Sequence, residues 1–250
     1  MSGHSKWANI KHRKDRQDKA RGGLFTKLAR AVTVAAREGG ADQMTNFALR
    51  LAVDKARAAN MPKDNIERAI ERGAGGAGGD NVERLTYEGY GPSGSAILLE
   101  CTTDNRNRTV GAVRSLFTKF GGSLGENGSV AWQFEQRGTI AIPADDIDGD
   151  TLTLEAIDLG AVDVEVDDET ITVHTAVPDF ARIKNALADA GYATEDAELA
   201  MIPTSPVALD VKATVSVLKL VEKLEDLDDI DRVWTNVDIS DAAIEAFEAA

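Results

Sequence analysis

The sequence has 250 residues, of which 43% are hydrophobic and 5% aromatic, so aliphatic residues must fill one large core or two to three smaller ones. No run approaches the ~20 apolar residues of a membrane-spanning helix, and the N-terminus lacks the apolar stretch of a secretory signal. A single cysteine, Cys101, excludes a disulfide framework and a cysteine-based metal site. We therefore expect a soluble, cytoplasmic protein that does not contact a membrane.

The charges are unevenly distributed along the chain, whose formal net charge is −14. Residues 1–72 contain 16 Lys/Arg and 8 Asp/Glu, a net charge of +8, whereas residues 73–250 contain 12 and 34, a net charge of −22. Basic side chains next to phosphates release counterions and so bind a polyanion without reading its sequence. The distribution predicts a nucleic-acid partner for the N-terminal part, with a solvated basic tail as the alternative.

Three amphipathic helices are predicted in residues 24–72, which we call the helical module. The first spans residues 24–38, the second spans 46–59, and the third begins at Pro62 and ends near Gly73. Because the loops between them are short, the three apolar faces can share one small core.

The glycine-rich segment 73–79 begins with a G-x-G-x-x-G spacing, which also occurs in dinucleotide-binding loops. That mechanism requires a strand before the loop and a helix after it, so that the phosphate meets a helix N-terminus. Here a helix precedes the segment and a strand-like stretch follows it. We therefore interpret the segment as a flexible linker.

Strands and helices alternate in the rest of the chain. The predicted strands lie at residues 85–90, 96–102, 129–134, 139–142, 162–166, 170–174, 198–202 and 232–239, and the predicted helices at 109–120, 151–159, 179–190 and 211–224. Within residues 138–203 the order is β-α-β-β-α-β, which is typical of the ferredoxin-like fold with two helices on one face of a four-stranded antiparallel sheet. The last helix and strand supply the elements that the segment 85–134 lacks.

The predicted fold class is therefore α+β. An N-terminal three-helix domain with a basic arm is followed by two ferredoxin-like α/β domains, one inserted in the other. We expect the arm and helical domain in residues 1–75, a discontinuous domain formed by 80–135 and 205–240, and the inserted domain in 138–203.

The sequence shows no group of side chains with the spacing of a catalytic or metal-binding site. None of His4, His12 and His174 has a cysteine or a second histidine at ligand spacing. The acidic runs at 145–148 and 225–229 lack the spacing of a calcium loop and are typical of solvated turns. We predict no enzymatic activity, no cofactor and no metal site.

The candidate site is the basic arm, residues 3–21, in which Lys and Arg recur around one aromatic residue. Its predicted nucleic-acid-binding residues are Lys6, Trp7, Lys11, His12, Arg13, Lys14, Arg16, Lys19 and Arg21. A tryptophan ring can stack on an unpaired base while Lys and Arg follow the backbone. The alternative is that Trp7 anchors the arm to a domain.

Two further groups of basic residues extend this candidate site. Lys27, Arg30 and Arg37 continue the basic pattern along the first helix, although an ordinary solvent-exposed face is equally compatible with them. Arg106 and Arg108 lie at the start of a later helix, whose N-terminus can accept a phosphate. Local ion pairing is the alternative for this second group.

Several segments also carry a resemblance to a known family. They are residues 2–14 (SGHSKWANIKHRK), 24–28, 35–40, 59–66, 87–92, 103–109 and 201–203. With them the chain resembles the YebC/PmpR family over nearly its whole length. The resemblance implies an N-terminal helical domain followed by two α/β domains, one of them assembled from separated segments, and it brings no catalytic residues or cofactor.

The resemblance also implies a role in gene expression. The family is described as DNA-binding transcriptional regulators, and it includes the mitochondrial translational activator of cytochrome c oxidase subunit I and relatives that act on ribosomes stalled at proline-rich stretches. We therefore predict a nucleic-acid-binding regulator, with DNA-binding transcriptional regulation as the first interpretation and a ribosome- or RNA-binding translation factor as the alternative. An undetected enzyme or a protein-interaction module is a third hypothesis, without residue evidence.

The charge of the third helix bears on the choice between DNA and RNA. Its acidic residues, Asp64, Glu67 and Glu71, balance its basic ones, Lys63, Arg68 and Arg72. A neutral helix is poorly suited to docking in the major groove of DNA. A pliable basic arm that folds on structured RNA agrees better with this layout.

Overall fold

A computed structural model describes residues 21–75, 83–194 and 196–249. The helical module consists of α1 (Arg21–Gly39), α2 (Phe47–Ala58) and α3 (Lys63–Gly73). The remaining elements are β1 (Glu83–Tyr90), β2 (Ala96–Thr103), α4 (Arg106–Lys119), β3 (Ser123–Leu124), β4 (Phe134–Pro143), α5 (Gly149–Asp158), β5 (Asp163–Val166), β6 (Thr170–Thr175), α6 (Phe180–Asp189), β7 (Asp196–Pro203), β8 (Val207–Ala208), α7 (Val211–Glu225), β9 (Ile230–Thr235), β10 (Val237–Asp238) and α8 (Asp241–Glu248).

Hydrogen bonds of two side chains, Asn46 and Thr33, hold the three helices of the module together. The Asn46 side chain accepts a hydrogen bond from the Leu49 amide at 3.0 Å, which caps the start of α2, and it donates to the Ala35 carbonyl at 2.7 Å. Between α1 and α3, the buried Thr33 hydroxyl donates to the Ala69 carbonyl at 3.1 Å. These contacts fix α2 and α3 against α1.

The first sheet has the strand order β3-β1-β2-β9, and all its neighbouring strands are antiparallel. Helices α4 and α7 cover one face, where Val113 and Phe117 of α4 meet Leu99 of β2 and Val217 of α7 in one buried cluster. The sheet thus joins strands from residues 83–124 with a strand and a helix that follow more than eighty residues later in the sequence.

The second sheet has the order β5-β6-β4-β7 and is also antiparallel throughout. With α5 and α6 between its strands, it has the β-α-β-β-α-β connection and strand order of the ferredoxin-like fold. Its core places Ile140 and Val173 of the sheet against Leu152 of α5 and Leu187 of α6. The predicted α+β class, with helices first and antiparallel sheets after them, is confirmed, whereas the exact domain limits stay a prediction.

The structure corrects two predicted strands. The strand expected at 232–239 is divided into β9, which belongs to the first sheet, and β10, which pairs with β8 in a separate two-stranded sheet. Residues 129–134 were expected to be extended, but Ala131–Gln133 form a short 3-10 turn and β4 begins only at Phe134. The cause is the buried Glu88 carboxylate, which accepts hydrogen bonds from the backbone amides of Val130 and Ala131 at 2.7 and 2.8 Å and holds this loop in a curled conformation. The short strand β3 and the C-terminal helix α8 were not predicted.

Two other expectations concern the linker and the membrane. Gly73 is the last residue of α3, and most of the predicted linker, residues 76–79, lies outside the described residues. In the ranges that the structure describes, no helix is long and apolar enough to cross a bilayer.

Candidate nucleic-acid interface

Most of the predicted site lies outside the described residues. The predicted site residues that the structure does not describe are Lys6, Trp7, Lys11, His12, Arg13, Lys14, Arg16 and Lys19. Arg21 begins α1, but its side chain is not described either. The nucleic-acid-binding role of the basic arm therefore stays a prediction, and the five remaining candidates, Lys27, Arg30, Arg37, Arg106 and Arg108, can be placed.

A buried carboxylate, Asp229, contacts two of those five candidates. It lies in the turn between α7 and β9, and only 10% of its side chain is exposed. Arg108, on the first turn of α4, donates from Nη2 to Asp229 Oδ2 at 2.8 Å and from Nε at 3.2 Å. The Thr109 hydroxyl donates to the same oxygen at 2.7 Å. The carboxylate thereby fixes the start of α4 against the first sheet.

Arg30 reaches the same carboxylate from the helical module. Its Nη1 donates to Asp229 Oδ1 at 3.1 Å, to the Asp228 carbonyl at 3.0 Å and to the Thr102 carbonyl at 3.2 Å. One turn earlier on α1, the Lys27 ammonium donates to the carbonyl of Glu225 at the end of α7. Both side chains therefore dock α1 on the first sheet domain.

The charges around Asp229 change the pKa of this carboxyl. Burial raises it, but hydrogen bonds from Arg108 and Thr109 and the positive charges of Arg108 and Arg30 outweigh burial. The pKa of Asp229 consequently lies below its ordinary value, so the carboxylate is ionised at neutral pH. Arg108 also donates to Asp104 at 2.7 Å, which lowers the pKa of that exposed carboxyl. For Arg108, the structure thus shows the local ion pairing that was the alternative to phosphate binding.

Arg106 lies apart from the Asp229 cluster. It lines a cleft of about 530 Å³ together with Arg84, Tyr87, Glu100 and Trp234. Both acidic and basic side chains line this cleft. The structure therefore separates Arg106 from Arg108, although the sequence placed them in one group.

A second groove, between α1 and α3, was not predicted. It has a volume of about 410 Å³, and four arginines line it: Arg30 and Arg37 from α1, and Arg68 and Arg72 from α3. The balance of charges on α3 had suggested a neutral helix. A count of charges does not show their positions: Arg68 and Arg72 lie one turn apart and both line the groove. Their i, i+4 spacing was the signal that could have revealed the groove.

The helical module also contacts the second sheet domain. Lys55 of α2 lies 2.5 Å from a Glu198 carboxylate oxygen on β7. The rings of Phe47 and Phe180 meet edge to face with their centroids 5.7 Å apart. Contacts with both sheet domains therefore fix the position of the module and of its groove.

Metal-binding groups are not assembled in the part of the chain that the structure describes. No three His, Cys, Asp or Glu side chains within it are placed to hold a metal ion. His174 is buried, with Nε2 3.4 Å from Glu165 Oε1. Burial raises the pKa of the Cys101 thiol to about 12, so this side chain is a neutral thiol in the core at physiological pH.

Fold and site together define a protein in which a helical module with an arginine-lined groove is docked on two antiparallel α+β sheet domains. The chain belongs to the TACO1/YebC family: a model of the TACO1/YebC N-terminal domain matches residues 5–76, and one of the second and third domains matches residues 82–237.

Relatives and a solved structure agree with this assignment. The chain is 53% identical to a probable transcriptional regulatory protein of Pseudomonas fluorescens, over 98% of this chain and 99% of the relative. It is also 53% identical to the transcriptional regulatory protein PmpR of Pseudomonas aeruginosa, over 96% and 97% of the two chains. The crystal structure of a conserved hypothetical protein from Aquifex aeolicus matches with a TM-score of 0.84 and 42% identity, over 90% of this chain and 93% of that one.

Proposed function

We propose that this protein is a nucleic-acid-binding regulator of gene expression, acting as a DNA-binding transcriptional regulator. The names of its relatives support a regulatory role, since those of Pseudomonas fluorescens and Pseudomonas aeruginosa are called transcriptional regulatory proteins. The observation that carries nucleic-acid binding is the charge distribution, with a net charge of +8 in residues 1–72 of a chain whose total is −14. The proposal includes a cytoplasmic location and no catalytic role.

The basic arm is the proposed main contact with the nucleic acid. Residues 1–20 contain six Lys/Arg, and each phosphate that they neutralise releases counterions. The acidic sheet domains repel the same phosphates, which orients the nucleic acid towards the N-terminal part of the protein. Lys27 and Arg30 contribute less than their sequence positions suggest, because their charged groups contact the first sheet domain.

A ribosome- or RNA-binding translation factor is the second candidate. The observation in its favour is that α1 directs Lys27 and Arg30 towards the protein body, so these side chains cannot read base edges as a recognition helix does. Contacts that follow a phosphate backbone suit an RNA strand as well as DNA.

Binding assays at several salt concentrations test the proposal. The full chain is titrated into fluorescein-labelled 24-base-pair DNA and into a labelled 24-nucleotide RNA, each of mixed sequence, between 50 and 200 mM salt. About six phosphate contacts predict an affinity loss on the order of 10³-fold over this range. Deleting residues 1–20 is expected to remove most of the binding. Salt-independent binding, or full affinity without these residues, would contradict the proposal.

A second experiment separates transcription from translation. The protein is crosslinked in cells, and its bound nucleic acid is recovered and identified as genomic DNA or ribosomal RNA. In parallel, its sedimentation with ribosomes is measured with and without RNase. Recovery of discrete genomic fragments supports the transcriptional regulator, whereas RNase-sensitive co-sedimentation supports the translation factor.

A further inference from the structure

We propose that the groove between α1 and α3 is a binding site for one nucleic-acid strand, in which Arg37, Arg68 and Arg72 contact its phosphates. This inference rests on the proposed function and adds to it a defined site on the helical module, separate from the basic arm. The ligand class is a single strand or an unpaired loop of RNA or DNA.

The charged side chains that line the groove are all positive. Four arginines line it, and none of the described residues that line it is Asp or Glu. It agrees with the net charge of +8 in residues 1–72, although the whole chain has 42 acidic and 28 basic residues. Concave sites lined by charge of one sign concentrate ions of the opposite sign, so the groove attracts an anion in an otherwise acidic protein.

The acidic residues of α3 follow a line along the helix. Asp64, Glu67 and Glu71 follow one another at i, i+3 and i+7, which places them along a separate strip of the helix. Glu67 lies 3.4 Å from the Lys63 ammonium in an ion pair on that outer side. The ion pair that Glu67 makes is therefore with Lys63 and not with the two arginines that line the groove.

The arginines of the groove are spaced and oriented in a way that suits phosphates. Arg68 and Arg72 are one helical turn apart, about 5–6 Å along the axis, and Arg37 faces them from α1. Arg68 donates to the Asp64 carbonyl at 3.1 Å and to the Asn65 side chain, which orients its guanidinium before any ligand binds. Two arginines one turn apart on α3, with Arg37 on the opposite wall, suit neighbouring phosphates of one strand, and arginine binds phosphate in a planar, two-pronged manner.

Contacts between α1 and α3 fix the geometry of the groove. The hydroxyl of Thr33 bonds to the Ala69 carbonyl across the two helices, and the absence of a side chain at Gly73 lets α3 approach α1 closely. Arg30 is fixed at one side of the groove by Asp229, which neutralises its charge. Because the walls are fixed, little conformational entropy is lost on binding, and Arg68 and Arg72 on α3 are expected to supply most of the affinity.

The occupant follows from the floor of the groove and from its position. Phe25 and Ala29, which are half-buried, contribute apolar surface that a sugar or an unpaired base can cover, whereas a duplex presents its sugar-phosphate backbone with the bases stacked inside. Phe25 and Thr26 also line the groove close to the start of α1, where the basic arm joins it.

The test is the double substitution R68A/R72A in the full chain, with labelled single-stranded 24-nucleotide RNA as the probe. Losing two phosphate contacts is expected to reduce the slope of log K against log salt by about 1.4 and the affinity at 100 mM salt roughly 10–30-fold. The control R114A/K212A removes the same charge from exposed positions on α4 and α7. It is expected to change the affinity less than threefold.

Two additional variants keep the result interpretable. R37A changes the opposite wall and is expected to weaken RNA binding in the same direction, which covers the case in which the α3 variant unfolds. Circular dichroism and thermal melting show whether each variant keeps the native fold. The lysine variant R68K/R72K retains the charge and is expected to recover most of the salt dependence.

The outcomes separate this inference from the proposed function. If deleting residues 1–20 abolishes binding while R68A/R72A and R37A bind normally, the groove is not the site and the proposed function stands. If the unaltered protein binds neither RNA nor DNA, both proposals fail. If R68A/R72A loses affinity for poly-glutamate but not for RNA, the groove binds an acidic polypeptide and the inference is overturned.

Discussion

The guanidinium of Arg30 lies 3.1 Å from the carboxylate of Asp229, which is 199 positions later in the sequence. Arg108 approaches the same carboxylate from α4 at 2.8 Å. One largely buried side chain thus joins the helical module to the first sheet domain and to the start of α4. Since the arginine groove lies on that module, its position relative to the acidic domains depends on this contact.

Asp229→Ala is expected to lower the free energy of unfolding by about 2–3 kcal/mol. The substitution leaves Arg30, Arg108 and Thr109 without their shared acceptor, and removing one partner of a buried ion pair costs more than the pair contributes. Water reaches the partly exposed arginines, which keeps the loss below that of a fully buried pair. Urea denaturation at pH 7 measures the change. The exposed neighbour Asp228 offers the control, and D228A is expected to change stability by less than about 0.5 kcal/mol.

The pH dependence of stability provides a second prediction for Asp229. Because its pKa is lowered in the folded protein, its contribution is present above the unfolded pKa and is lost as the pH falls through the folded pKa. Asp229→Asn removes this contribution. The variant is expected to be less stable at pH 7 and to lose less stability than the unaltered protein between pH 4 and lower values. Equal pH profiles for the two proteins, measured by denaturation from pH 7 to pH 2.5, would show that Asp229 is not responsible.

Asp231 is expected to behave in the opposite way. Burial raises its pKa, against the effect of a hydrogen bond that the Thr102 hydroxyl donates at 2.5 Å. Its ionised form is therefore disfavoured in the folded protein, and stability falls as the pH rises through the folded pKa. Asp231→Asn keeps an oxygen for Thr102 and removes the charge. The free energy of unfolding at pH 7 should increase, and a decrease measured by urea denaturation would contradict this assignment.

The regular elements could be predicted because their signals are local. The predicted helix at 211–224 is observed at Val211–Glu225, and hydrophobic periodicity was sufficient to place it. The β-α-β-β-α-β order in residues 138–203 also predicted the strand order of the second sheet, since few topologies satisfy that connection. In contrast, the strand expected at 129–134 is not formed in full, because Glu88, about forty residues away, accepts hydrogen bonds from the amides of this loop.

The candidate site was less predictable because the partners of its charged groups are distant in sequence. Arg30 and Arg108 look like available cations when only their neighbours are considered, but both contact Asp229. Conversely, α3 looks neutral in a count of charges, whereas Arg68 and Arg72 share one side of it. Net charge over a segment is readable from sequence, but the pairing and direction of each charge require the folded chain.

Glu88→Gln is expected to destabilise the fold by about 1–3 kcal/mol. The Glu88 carboxylate is buried and accepts hydrogen bonds from the amides of Gly128, Val130 and Ala131 at 2.6–2.8 Å. A glutamine places an amide donor towards at least one of these donors, which leaves a buried N–H without an acceptor. Chemical denaturation at pH 7 gives the magnitude. The exposed Glu126 in the same loop supplies a matched control, and a similar loss in E126Q would mean that loop charge, rather than these bonds, is responsible.

Two helical glycines are expected to respond in opposite directions to alanine. A Cβ at Gly73 would lie 2.3 Å from the Thr33 carbonyl oxygen and 2.7 Å from Ala36 Cβ, so Gly73→Ala forces α3 away from α1 and should cost about 1–3 kcal/mol. At Gly111 of α4 a Cβ meets no atom within 4 Å, and Gly111→Ala should add about 0.5–1 kcal/mol of stability through helix propensity. Thermal melting of both variants checks the signs. Because Gly73 sets the distance between the two helices, G73A should also weaken RNA binding if the arginine groove holds the strand, while G111A should leave it unchanged.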